Sequence, residues 1–516
     1  MNLQKIGPLI AIIALIVIGS SILGSSAAKG DLVQLGGFLA IVVSVAIFVI
    51  FGKSTWVLIP VFLLWDGRIA ILPLPFSVSN LAIIFSVGVW CLNLLSRREV
   101  IRWDLKKIDI LVGLTLCSVF LSFARNPVGI SALSATDLVG GRPYFEVAMA
   151  FVAYVMLCSI RPDLRWFNRI PILSVAAAVI LAVGGAVAFF VPQIGIYMYQ
   201  FYSGFMPNME EFRSLGGGKG ETYGVGRAGY LSPLSFTLVF YLYAIRAPIK
   251  NALPTNPWGF IGLSIAALCA LFSGFRVVLG SQGVYFLLGS AVWSGVRGFI
   301  LTVAAAIVVI TAISFSSTLV TYPDKIQRAV SFLPGDWDDR VVRSGQESTD
   351  WRVEMWEEAI YGKGIRNKWL GDGFGLPQSE IDYFQEKELA GTATTEDQHH
   401  FHILAGTLHS GPLTAIRFVG VVGLILYLLL AISIAVGFTK LWRSCIRHRE
   451  KIMVGFFALG ALYHPFKFIF IFGSYDVDFP KLLVSAGLLV LCRNLVSNQR
   501  EEEAKNAQEE EMQAAV

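Results

Sequence analysis

Three arginines stand where apolar runs begin or end, each beside glycine or serine: Arg142 in Gly140-Gly141-Arg142-Pro143, Arg227 in Arg227-Ala228-Gly229, and Arg276 in Ser273-Gly274-Phe275-Arg276. An ionisable group at that depth of a membrane is a functional candidate, with snorkelling to the headgroups as the plain alternative. Guanidinium is a planar fork of five donors, and a lipid-linked diphosphate would present its oxygens at the same level. These positions suit the binding of a phosphorylated or otherwise anionic substrate. The Ser273-to-Arg276 turn joins two apolar runs with almost no linker, which keeps its guanidinium close to the membrane surface.

What must hold these residues is a membrane scaffold. Hydrophobic residues make up 55% of the 516 and charged residues only 15%, which excludes an ordinary soluble globule. A β-barrel would alternate apolar and polar residues, whereas Leu9 to Ile18 is apolar on every face, so the expected class is an all-α polytopic membrane protein. About fourteen spans are expected, near 6–24, 32–52, 54–66, 80–95, 109–124, 143–160, 169–191, 230–247, 257–273, 277–293, 298–320, 412–439, 452–472 and 478–493. Of these, 54–66 is the weakest as a separate crossing. The chain thus divides into eleven spans over 1–320, a large polar loop at 321–411, three spans over 412–494 and a Glu-rich tail at 495–516. Met1 to Ser26 overlaps the pattern of a cleaved signal, but its apolar run is long for one, and it is read as an uncleaved first span.

Short cytoplasmic loops collect Lys and Arg. With the amino terminus inside, the basic stretches Arg97 to Lys107, Arg161 to Arg169, Arg246 to Lys250, Arg297 and Lys440 to Lys451 all fall on the cytoplasmic side, together with the carboxyl-terminal tail. The opposite side then receives loop 192–229, the Ser273-to-Arg276 turn and the large loop. It also receives arginines that the rule would place elsewhere: Arg125, Arg142, Arg213, Arg227, Arg276, Arg328, Arg340, Arg343, Arg352 and Arg366. Long loops translocate regardless of charge, so those in 321–411 need no special cause.

Several pieces resemble the bacterial O-antigen polymerase and O-antigen ligase superfamily. They are Arg227-Ala228-Gly229 before a middle span, the Ser273-Gly274-Phe275-Arg276 turn, Arg352 with Trp356 followed by Gly371-Asp372-Gly373-Phe374-Gly375, and His409-Ser410 entering a late span. Gly420 and Gly423 follow His409 by 11 and 14 residues, the spacing of the family. The likeness covers roughly 227–430. Ser410 stands where the family usually has asparagine.

The resemblance implies glycosyl transfer at the outer face of the bacterial inner membrane, from an undecaprenyl diphosphate-linked glycan to a sugar hydroxyl. Arginines would absorb the charge developing on the departing oxygens without a metal. His409 would serve as general base or orient the acceptor hydroxyl, while Arg227, Arg276, Arg352 and Arg142 would grip the diphosphate. A polymerase of O-antigen or exopolysaccharide is the preferred reading, with a ligase joining the glycan to lipid A core or another anchor as the alternative. The lipid bilayer is the surrounding partner, a flippase and a chain-length regulator are implied through the family, and no nucleic acid or cofactor is expected.

Glu396-Asp397-Gln398-His399-His400-Phe401-His402 puts three histidines beside two carboxylates. That is metal-ligand chemistry without a recognised metal signature or a distant fourth partner, so no metal is expected. Asp397, His399, His400 and His402 are instead candidates for acceptor binding or local packing, and Asp397 or Glu396 could partner His409 if the loop folds back. On a helix His399 and His402 would share a face. A phosphate loop of the Gly-x-x-x-x-Gly-Lys-Ser/Thr type is absent, and Gly216-Gly217-Gly218-Lys219-Gly220 reads as a flexible loop able to close over substrate. A transporter or flippase of lipid-linked sugar is the competing class. It would carry charges in mid-span or duplicated broken helices, and only His464, Lys467 and Asp476 point that way.

Overall fold

A computed structural model of the chain describes residues 32–65, 67–69, 76–97, 100–101, 106–127, 141–205, 228–362, 364–376, 378–392, 394–445 and 447–514. The expected first span at 6–24, Arg227 and the 216–220 loop lie outside them. The described residues are helical, with no strand among them. The main helices are α1 (Leu32–Phe51), α2 (Val78–Leu95), α3 (Lys107–Arg125), α4 (Arg142–Ser159), α5 (Ile170–Phe190), α6 (Ser232–Ile245), α7 (Pro257–Phe272), α8 (Arg276–Ser316), α9 (Asp324–Val330), α10 (Asp339–Tyr361), α11 (Gln378–Leu389), α12 (Thr395–Ala405), α13 (Gly411–Ser444), α14 (His448–Phe466) and α15 (Tyr475–Ala514).

Their starting points follow from local chemistry. Proline occupies the first turn of α4, α5, α6, α7 and α13, where its missing N–H costs nothing. The Ser77 hydroxyl accepts from Asn80 N to open α2, and Asp109 accepts from the Lys106 backbone N–H to open α3. Among the described residues eight helical stretches are long and apolar enough to cross a membrane, and Gly229–Ile245 and Pro257–Phe272 are shorter apolar helices. The chain is a membrane protein.

The count of fourteen spans is not reproduced among the described residues. Expected spans 32–52 and 54–66 run into one another without a loop, α1 giving way to a 3-10 segment, Gly52–Val57, and a short turn of helix, Leu58–Val61. Gly52, at φ +52°, makes that bend. Expected spans 277–293 and 298–320 are the two limbs of α8, divided at Gly295 (φ +61°, ψ −149°). A straight helix of this length would measure about 60 Å. Yet Arg276, at its start, donates to Arg328 O at 2.8 Å and to Ser331 Oγ at 2.8 Å, shortly beyond its end. A Cβ at Gly298 would meet Ser290 O at 2.6 Å, a contact between residues eight apart. The helix therefore folds back at Gly295, a backbone conformation open essentially only to glycine.

At the centre, α13 lies between α3 and α14, α15 packs along α4, and α6 is flanked by α5, α7 and α14. Tyr154, Tyr243, Tyr427, Phe438, Trp442 and Tyr475 are fully buried among them. The bundle has two distinct ends. At one, Lys106 Nζ donates to Asn494 Oδ1 at 2.9 Å, Arg500 reaches the Ser444 carbonyl, and Lys451 lies 4.8 Å over the Trp293 ring. At the other, Arg125, Arg142 and Arg276 gather with the polar segment that follows α8. That segment is folded rather than open loop, being built from α9 to α12.

Candidate functional site

Gly420 breaks α13 at φ +72°, and the break is where the polar segment docks. In an unbroken helix Val421 N and Val422 N would bond the carbonyls of Arg417 and Phe418. Here Val421 N donates to Lys368 O at 2.8 Å and Val422 N to Trp369 O at 3.3 Å. The released carbonyls accept from the incoming segment: Asp372 N to Arg417 O at 2.8 Å and Gly373 N to Phe418 O at 3.0 Å. Two helical bonds are exchanged for four between segments. Glycine is required on both sides of the exchange. A Cβ on Gly371 would meet Phe418 O at 2.4 Å, and one on Gly420 would meet Trp369 O at 2.1 Å.

Arg417 locks this junction. Its guanidinium, 4% exposed, donates to Ile403 O at 3.2 Å, Leu404 O at 2.9 Å and Gly373 O at 3.3 Å, and lies 3.6 Å from Asp372 Oδ2. Asp372 in turn accepts from the backbone N–H groups of Arg366 and Asn367 at 2.8 and 2.9 Å. From α3, Arg125 donates to Gly371 O and Asn126 to Asp372 O, and Phe374 N donates to the Tyr144 hydroxyl of α4. Arg125 is thus a structural clasp on the Gly371-to-Gly375 segment.

His409 sits directly before α13 in the left-handed region, at φ +53°, which a non-glycine residue adopts only when its surroundings impose it. The imposing contact comes from α10. Trp356 Nε1 donates to Leu408 O at 2.7 Å, and Leu408 is buried in a small core with Met355, Ala359, Ile365 and Ile403. The His409 ring is half-buried and lies 5.4 Å from that of Phe472. Burial lowers its pKa, and the charges of Arg352 and His402 lower it further. Arg352, one turn before Trp356 on the same face of α10, also stands close enough to Arg276 for the two guanidinium groups to repel. His409, Arg352, His402 and Arg276 therefore occupy one neighbourhood.

Arg142 belongs to an adjoining cavity of about 640 Å³ at the same end of the bundle. Its cationic lining is Arg68, Arg142 and Lys481, and its anionic lining Glu146 and Asp476, with Thr407, two residues before His409 in sequence, also in the lining. Arg142 Nε donates to Glu146 Oε1 at 3.2 Å. Thr407 Oγ1 is 2.7 Å from His402 Nδ1, which connects the cavity to the histidine neighbourhood.

The acidic and histidine cluster divides on folding. Asp397 is not a partner for His409: it closes the capping box of α12 with Thr394 and pairs with Lys387 Nζ at 2.7 Å. The Lys387 bond and the Thr394 N–H hold its carboxyl well below the usual range, while Lys387 is raised to about 12. Because the folded pKa is depressed, the stabilisation from Asp397 is complete above the ordinary carboxyl pKa and lost as pH falls through the folded value. Asp397→Asn is expected to speed amide exchange in α12 at neutral pH and to leave it unchanged under strong acid, as read by hydrogen–deuterium exchange. His399 and His402 do share a helical face, both rings packing edge-on against Trp351 at 5.2 and 5.1 Å. Buried His399 has its Nδ1 3.5 Å from Glu358, and His400 is exposed. Only His402 of the four joins His409.

Sequence reasoning passed over Arg68, Lys481, Thr407 and Arg417. The available signal was Asp66-Gly67-Arg68, a polar break in an apolar run, and an arginine seven residues into α13. No family model matches the chain, and no characterised protein sequence matches it.

Proposed function

We propose that this protein is a membrane glycosyltransferase, moving a glycan from a polyprenyl diphosphate donor to a sugar hydroxyl, most simply as a polymerase of an exported polysaccharide. The observation that carries the reading is the cavity lined by Arg68, Arg142 and Lys481, adjoining the neighbourhood of His409, Arg352 and Arg276. Cleaving the bond between an anomeric carbon and a diphosphate leaves negative charge on the departing oxygens. Fixed guanidinium groups in a partly enclosed site stabilise it without reorganising. His409, its backbone locked, orients the acceptor hydroxyl. Arg276 has a second, structural task in holding Arg328 and Ser331, so its contribution to phosphate binding comes from its field more than from a free fork. Site and scaffold face the extracytoplasmic side in this reading, and both termini the cytoplasm.

The test is turnover by the purified full-length protein in lipid vesicles, with an undecaprenyl diphosphate oligosaccharide and products resolved by size. A ladder of lengthening lipid-linked products is expected. Turnover that begins only after lipid A core is added identifies a ligase instead, and an untouched donor under both conditions rejects glycosyl transfer.

A further inference from the structure

Four hydroxyls line the cavity: Ser77, Ser79, Ser474 and Thr407. Ser77 and Ser79 bond one another at 2.8 Å, and Ser474 bonds Asp476. Thr407 alone of the four bonds an imidazole, with Oγ1 2.7 Å from Nδ1 of His402 and a longer contact, 3.4 Å, to the His402 carbonyl. A hydroxyl open to a cavity with an imidazole directly behind it is a proton path, the arrangement by which enzymes activate oxygen nucleophiles. Neither His402 nor His409 lines the cavity itself.

We propose that Thr407 and His402 form the relay that removes the proton of the acceptor hydroxyl, Thr407 touching the acceptor and His402 holding the proton behind it. This rests on the glycosyl-transfer reading. The acceptor oxygen attacks the anomeric carbon as the bond from that carbon to the diphosphate breaks, its electron pair leaving with the diphosphate. The acceptor proton passes to Thr407 Oγ1 while the proton of Thr407 passes to His402 Nδ1. His402 becomes imidazolium and returns its proton to water once the products leave.

His402 is suited to begin the cycle neutral. Burial, and secondarily His399 on its own helix, lower its pKa, and His409 faces it from the following segment. Arg352 on α10 adds a positive charge to the same neighbourhood, and the ring contacts of His402, Trp351 on α10 and Phe401 beside it, carry none. His409 then has the separate task of orienting the acceptor.

The experiment measures initial rates against donor concentration and pH for wild type, Thr407→Val, Thr407→Ser and His402→Gln, each as the full chain in vesicles with undecaprenyl diphosphate oligosaccharide. Thr407→Val keeps the shape of the side chain and is expected to lower kcat on the order of 10²-fold with KM unchanged. Thr407→Ser, which keeps the hydroxyl, should stay within a few-fold of wild type. His402→Gln should lose the acid limb of the kcat profile. A Thr407→Val protein with wild-type kcat, or a His402→Gln protein with the acid limb intact, overturns the relay while leaving glycosyl transfer standing. A wild type that does not turn over removes both.

Discussion

Replacing Arg417 with methionine is expected to destabilise the protein by about 3–5 kcal/mol, the usual consequence of removing one partner of a buried ion pair. Methionine fills most of the volume, so the loss is electrostatic and polar rather than a cavity. Asp372 would keep its two backbone N–H bonds but lose its counter-charge, the carbonyls of Leu404 and Gly373 would lose the Arg417 donor, and that of Ile403 would keep only the Gly406 N–H, in a site closed to water. Arg417→Lys should recover only part of the loss, because an ammonium cannot reach three carbonyls set out for a planar fork. Thermal aggregation followed by size exclusion in detergent measures this. A methionine variant melting with wild type would show that the polar segment is held on α13 by the backbone exchange alone.

The second large effect belongs to His409. His409→Ala is expected to lower turnover of the lipid-linked donor on the order of 10²-fold, the cost of a misoriented acceptor, with the melting temperature nearly unchanged. Alanine removes the ring and keeps the strained backbone, whereas His409→Gly removes both, so the two variants together separate them. Glycine adopts φ +53° at no cost, so it should be at least as stable as wild type and equally inactive. Trp356→Phe, which deletes the bond to the Leu408 carbonyl, should weaken turnover less, through a loosened His409. Full activity in His409→Gly would take the imidazole out of the reaction.

How far the sequence reaches is shown by particular residues. Composition alone places the chain in a membrane, and the alternation of basic loops anticipates the two ends of the bundle. Lys106 meets Asn494 at one end, and Arg125 meets Gly371 at the other. The spacing from His409 to Gly420, and the glycines at 371 and 373, mark a junction whose geometry admits no side chain. Asp397 could have been read correctly, since Thr394-Thr395-Glu396-Asp397 spells a capping box. The cavity is different in kind. Arg68, Arg142, Thr407 and Lys481 come from four distant stretches, and all but Arg142 have an ordinary local setting. The merging of 32–52 with 54–66 was hidden for a related reason. Hydropathy records that a stretch is apolar, whereas a bend at Gly52 depends on the packing of its neighbours.

The exchange at Gly420 gives the protein an order of assembly. A helix entering hydrocarbon must satisfy its own backbone, so α13 can first pass into the bilayer only as an unbroken rod, with Val421 and Val422 bonded to Arg417 and Phe418. The 364–376 segment has to arrive afterwards, displace those two bonds and supply its own four groups in a single step. Docking of the polar segment on α13 is thus a late event that follows insertion. A chain cleaved between Gly364 and Leu376 would be inserted and helical, yet its α13 would heal.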